Sequence, residues 1–215
     1  MKRNTEQKVQ VWGHNDWASY YGKLEQLDLR VEEILMNPCP FHKGKLVAQT
    51  HFAFIGIPDI NGDPLTVEKW FKLHSTESQL KLCFSNNAWH VCQPHIDIAV
   101  METRLYVVLR ETVPGSTGKT PEKQVAMLPS EYDVPSTIVE VTKDILLFRK
   151  TGKRCNSSDW ARCSEQTVET SHTLAGRFSC VGNFYEDGLL VSRWDRVPHS
   201  NVGVGASLKI PLLKF

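Results

Sequence analysis

No stretch of this 215-residue chain approaches the roughly 18 consecutive apolar residues of a transmembrane helix, so no membrane insertion is expected. Charge of one sign is equally scarce. With 25 Lys and Arg against 24 Asp and Glu, no global field exists to draw in nucleic acid or an anionic membrane surface. Internal repeats and low-complexity tracts are absent. The 11 Pro and 13 Gly are spread along the chain, which points to many turns rather than disorder. The opening MKRNTEQKVQVWGHND is charged and lacks the apolar block of a signal peptide. Cytoplasmic residence is therefore the default expectation, with surface or virion display left open.

Six cysteines are present: Cys39, Cys83, Cys92, Cys155, Cys163 and Cys180. A chain long enough to bury a real core does not need covalent staples, so reduced and mostly buried thiols are expected. Asp16 to Met36 carries apolar residues at helical spacing and ends at the turn-rich NPCP. HFAFIGIP reads as a short strand, NGDP as a turn, and Leu65 to Leu73 as a short amphipathic segment. SNNAWHVCQPH reads as a loop and Leu105 to Arg110 as a central strand. Two helices should follow, over Pro121 to Leu128 and Ser136 to Lys150. In the second, Ile138, Val141, Ile145 and Phe148 repeat at helical spacing, and Gly152 sits where a C-cap belongs. From Cys155 onward Ser, Thr, Gly and Val dominate, and three or four short strands are expected.

Several motifs can be weighed on their chemistry. VPGSTGKT, Val113 to Thr120, ends like a phosphate-binding loop, whose pattern is G-x-x-x-x-G-K followed by Ser or Thr. Val113 occupies the first glycine position, Pro114 removes a backbone donor, and Pro121 follows at once. A polar turn capping the next helix through Thr120 is the better reading. Cys39, His42, Cys83, His90, Cys92 and His95 offer zinc-ligand chemistry without the paired close spacing of a finger. No G-x-S-x-G elbow is present. No Glu-Pro-Asn or Gln-Pro-Asp calcium triplet occurs either; Gln93-Pro94-His95 puts an imidazole where a hard cation wants an acid. Neither a cofactor nor a metal is expected.

The segment GNFYEDGLLVSRWDRVPHSN concentrates aromatic, Arg and polar side chains in one short loop-strand-loop. Such residues dominate binding surfaces, although an ordinary polar hairpin around a buried Trp194 would have the same composition.

The ending of the chain resembles the variable proteins of diversity-generating retroelements. The resemblance rests on Val181, Gly182, Phe184, Asp187, Gly188, Leu189, Val191 and Trp194, then Val202, Gly203, Val204, Ala206, Ser207 and Lys209. YDVPSTIVEV, Tyr132 to Val141, is similar to the proline-led second helix of the same fold group, which includes formylglycine-generating enzymes. Leu208 departs from the pattern, which usually has Arg, and IPLLKF extends past it.

This resemblance implies an α+β, C-type-lectin-like fold, with two helices packed on short antiparallel strands. It places an N-terminal helical extension over residues 1–36 and a ligand-binding domain over 37–215, with the variable segment near 181–209. In such systems adenines of AAC-type codons are mutated at solvent-facing positions. The implied ligand-facing residues are Asn183, Tyr185, Leu190, Ser192, Arg193, Asp195, Arg196, His199, Ser200 and Asn201. Trp194 cannot be reached from such a codon and is implied to be scaffold. The implied function is binding of a protein or carbohydrate ligand without chemistry. The alternatives are an enzyme of the formylglycine-generating type, drawing its thiols from Cys155, Cys163 and Cys180, and a zinc-stabilised interaction module.

Overall fold

The computed structural model describes residues 11–21, 31–75, 80–85 and 88–210. They form a mixed α+β structure. In chain order the elements are β1 Val11–Trp12, α1 His14–Tyr20, α2 Val31–Leu35, α3 Val47–Thr50, β2 His51–Ile55, β3 Asp59–Ile60 and β4 Asp63–Pro64. Next come α4 Val67–Leu73, β5 Leu82–Phe84, α5 Pro94–Asp97, β6 Leu105–Leu109, α6 Pro121–Val125, β7 Tyr132–Asp133 and α7 Thr137–Thr151. The last described elements are β8 Trp160–Gln166, β9 Phe178–Tyr185, β10 Gly188–Trp194, β11 Val202–Val204 and β12 Ser207–Leu208. None of the described helices is long and apolar enough to cross a membrane.

Two five-stranded sheets organise these elements, in the orders β1-β2-β6-β12-β7 and β11-β8-β9-β10-β5. The first is built on the antiparallel pair β2–β6, from His51 opposite Leu109 to Ile55 opposite Leu105. Both of its faces are covered, which is why HFAFI and LYVVL are apolar throughout instead of alternating. Phe52, Phe54, Tyr106 and Val108 join the main core. Ala53, Leu105 and Val107 instead pack with Leu35 and Val47, from α2 and α3.

Helix α7 touches strands of both sheets. Its sequence period marks one apolar face, yet every residue from Thr137 to Leu147 is buried. Gly152 caps it in the left-handed conformation, φ 69°, with its N–H on the Phe148 carbonyl.

The N-terminal segment joins this core. Val11 and Trp12 pair in parallel with Ala53 and Phe54, Trp17 donates Nε1–H to the Ile55 carbonyl at 3.0 Å, and both tryptophans lie in the main cluster. The stretch Asp16–Met36, read as helical from its spacing, lies in helix at His14–Tyr20 and Val31–Leu35; residues 22–30 lie outside the described ones.

Other expectations are corrected in detail. Helix α6 stops at Val125, short of Leu128, because Met127 and Leu128 bond back by only three residues and Pro129 follows. The stretch read as a loop holds a 3-10 turn at Ala88–His90 and helix α5, with Trp89 in the core; Asn86 and Asn87 lie outside the described residues. Among the described residues the C-terminal region contains five strands, β8 to β12, where three or four short ones were expected. Register shifts at Arg162/Gln166 and Gly188/Leu190 interrupt the alternation that would have marked them. NGDP is a tight hairpin turn with Asn61 and Gly62 at φ 55° and 85°. All six cysteines are free.

VPGSTGKT ties strands together. Ser116 Oγ accepts the Val204 N–H at 3.1 Å, the Gly118 N–H bonds the His199 carbonyl at 2.7 Å, and the Thr120 side chain caps α6. Ser116 is fully buried. Ser116→Ala is therefore expected to lower stability by roughly 1–3 kcal/mol, because it leaves the Val204 N–H unpaired in the core. Urea denaturation measures this, and an unchanged midpoint would mean that water or another acceptor replaces the hydroxyl.

Candidate functional site: the outer face of the second sheet

Strand alternation divides β10 between two surfaces. Leu189 and Val191 point into the main core. Leu190 and Trp194 lie on the opposite face with Trp160, Cys180 and Val202. The centre of this outer face is organised by Arg162, a residue buried to 2% exposure. Its Nε donates to Gln124 Oε1 at 2.9 Å and its Nη1 to the Asp195 carbonyl at 3.2 Å. The guanidinium lies 5.0 Å from the Phe178 ring centre. Gln124 is also buried, and its Nε2 donates to the Val202 and Ser116 carbonyls. A buried Arg–Gln pair thus joins α6, β8 and β11 beneath the loop at 195–201. Neither residue was legible as important, since a single Arg or Gln in a polar sequence carries no burial signal.

The loop's backbone is held from outside. The Asp195 carbonyl accepts from Arg162, the His199 carbonyl from Gly118, and the Asn201 carbonyl from the Trp160 N–H at 2.8 Å. Its side chains point outward: Asp195, Arg196, Val197, Pro198 and Ser200 are exposed, while His199 and Asn201 are half-buried. Arg196 pairs with Glu122 at 3.0 Å and Asp195 with Arg177 at 2.7 Å, on accessible side chains. His199 packs against Trp194 at 4.2 Å between ring centres, and Trp194 meets Trp160 at 6.1 Å. Beside Pro198 lies an open cavity of about 400 Å³, lined by Gly118, Lys119, Thr120, Lys123, Ala126 and Met127.

The ten residues implied to face a ligand do not form one patch. Asp195, Arg196, His199, Ser200 and Asn201 share the loop, with Leu190 on the adjoining outer face. Ser192 is a correction: only 7% exposed, it is hydrogen-bonded to Ser85 beside edge strand β5. Arg193 is another, since alternation turns it to the opposite face, where its guanidinium lies 5.5 Å from the Trp89 ring. Tyr185 is 50% exposed, but it stands at the β9–β10 hairpin end, roughly 20 Å from Trp194 at strand rise per residue. Asn183, at φ 52°, forms an irregularity whose N–H bonds the Asp159 carbonyl. Trp194 is half-buried rather than fully enclosed, so its indole is part of the surface.

The residues with metal-ligand chemistry are dispersed. Cys39 is buried, Cys92 is exposed, His90 stacks on Phe84 at 4.0 Å, and burial holds His95 down at about 4. Among the described residues no group of three His, Cys, Asp or Glu side chains could hold a metal ion.

The arrangement is that of an α+β protein with an anchored, polar and aromatic surface loop over a sheet. No protein-family model matches the chain, and no curated protein or solved structure matches it.

Proposed function

We propose that the chain is a ligand-binding display protein, a C-type-lectin-like scaffold of the kind diversified by retroelements. Its contact surface is the 195–201 loop with the adjoining outer face around Leu190 and Trp194. The observation that carries this reading is the anchoring of the loop through its carbonyls at Asp195, His199 and Asn201. The donors all lie outside the loop, so its side chains can change without loss of the bonds that shape it. The exposed pairs Arg196–Glu122 and Asp195–Arg177 contribute about 0–1 kcal/mol each. Trp194, His199 and Arg196 supply aromatic area and planar donors, the side chains that concentrate binding energy. Burial pushes the Cys180 thiol up to about 12 and raises those of Cys155 and Cys163, which weighs against a thiolate enzyme. The ligand is a protein or a carbohydrate, and no cofactor takes part.

A library randomised at Asp195, Arg196, His199, Ser200 and Asn201 tests this. Most members are expected to melt within a few degrees of the parent, because surface changes cost about 0.5 kcal/mol or less each. Selection against an arbitrary globular target should yield binders. Widespread unfolding of the library, or selection that enriches nothing over a library randomised at the exposed positions Glu32, Glu33 and Met36, would sink the proposal. In the genome, a neighbouring reverse transcriptase gene and an imperfect repeat of the last coding segment are expected.

A further inference from the structure

Within α7, between the two sheets, lies a cluster that the display reading does not use. Glu140, Lys143 and Asp144 are essentially inaccessible to solvent, and Asn156 is 2% exposed. Lys143 Nζ contacts Glu140 Oε1 and donates to the Arg110 carbonyl at 3.0 Å. It also lies 3.2 Å from Asp144 Oδ1. Asn156 Nδ2 lies 3.4 Å from the same Glu140 oxygen. Its Oδ1 accepts the Thr112 N–H at 3.0 Å, a bond that also identifies which end of the amide is oxygen. The left-handed backbone of Asn156, φ 47°, is secured by its own N–H on Glu111 Oε2 at 2.8 Å.

An amine, a carboxyl group and a primary amide therefore meet around one oxygen, sealed from water. As an ion cluster the group is poorly balanced, with one ammonium between two buried carboxyls. Burial raises both carboxyls, Asp144 most strongly; it works the other way on Lys143, where Asp144 and Glu140 outweigh it. A buried group of this kind costs desolvation that its internal attraction only partly returns. Conversion of the amine to a neutral amide would leave two neutral acids and no buried charge.

We propose that Lys143 and Asn156 join in an intramolecular isopeptide bond, with Glu140 moving the protons. Lys143 first gives a proton to the Glu140 carboxylate and becomes a free amine. Its Nζ lone pair attacks Asn156 Cγ, and the developing negative charge on Oδ1 is met by the Thr112 N–H. Glu140 hands its proton to Nδ2 and takes one from Nζ. The Cγ–Nδ2 bond breaks, ammonia departs as the neutral molecule, Glu140 keeps the proton it took from Nζ, and an Nζ–Cγ amide remains. No oxidant or external reactant is consumed. Proximity in a dry site supplies the acceleration, since the two partners are held against a common proton carrier. The product ties α7 to the turn that leads into β8, below the surface proposed to vary.

Intact-mass spectrometry of the full purified chain tests the step. The expected mass is below that of the sequence by one ammonia. Tryptic digestion of the unfolded protein should fail to cleave after Lys143, and tandem spectra should contain a branched peptide joining Lys143 to Asn156. Glu140→Gln should restore the full mass. The wild-type digest alone decides the matter if that variant does not fold. A mass equal to the sequence, with Lys143 cleaved normally, overturns the proposal. So does a mass increase from simple deamidation of Asn156, or an ammonia loss that maps to another residue.

Discussion

Val204→Asp is expected to leave no cooperatively folded protein at room temperature. Val204 is 1% exposed and packs with Leu109, Val113, Tyr132 and Ala206. Its backbone is fully engaged: the N–H bonds Ser116 Oγ, and the carbonyl accepts from the Val113 N–H. Loss of the buried valine alone removes roughly 1.5–3 kcal/mol. Burying a carboxyl among these apolar side chains adds several kcal/mol more. Together these approach the whole stability of an ordinary domain, about 5–15 kcal/mol. Circular dichroism and urea denaturation measure the result. Arg196→Asp is the matched control in the same terminal region, and its midpoint should barely move. A Val204→Asp protein that melts like the parent would mean that the faces of β11 are inverted.

Acid is expected to act through two buried histidines. Burial depresses both His51 and His95 from 6.5 to about 4. His51 lies within hydrogen-bond range of the Thr50 hydroxyl and of the Tyr132 hydroxyl, at 2.8 and 3.2 Å. The sign follows from linkage. Between pH 6.5 and 4 the unfolded chain binds a proton at each histidine and the folded chain does not. Stability from these groups is therefore complete above the unfolded value and declines as pH falls through that window. At about 1.4 kcal/mol per pKa unit, each histidine accounts for something on the order of 3 kcal/mol by the lower limit. The raised carboxyls of Glu140 and Asp144 work in the opposite direction, so a comparison isolates the effect. The denaturation free energy of His51→Gln relative to that of the parent should rise as pH falls from 6.5 to 4. Parallel pH profiles for the two proteins would show that His51 is protonated in the fold without penalty.

The isopeptide proposal and the display proposal can fail independently. The first is read from mass alone, the second from the tolerance and binding of the loop. A cross-linked scaffold would suit a variable surface, because stability added below the loop offsets what individual loop sequences remove.

Local physics accounts for what was legible in the sequence. HFAFI and LYVVL are strands because β-branched and aromatic residues run continuously where both sheet faces are covered. Gly152 and the Asn61–Gly62 turn sit where backbone conformation requires them. The cap at the end of VPGSTGKT was legible too, since Thr120 followed by Pro121 is the pairing that opens a helix. Alternation on β10 decided that Arg193 leaves the surface occupied by Leu190 and Trp194, and packing on the edge strand closed Ser192. Linear proximity had grouped all of these. The burial of Arg162, Gln124, Lys143 and Asn156 was equally invisible, because a polar residue is held inside by partners far along the chain. Periodicity reports which face of an element is apolar; only the second sheet, closing over α7, determines how many faces there are to bury.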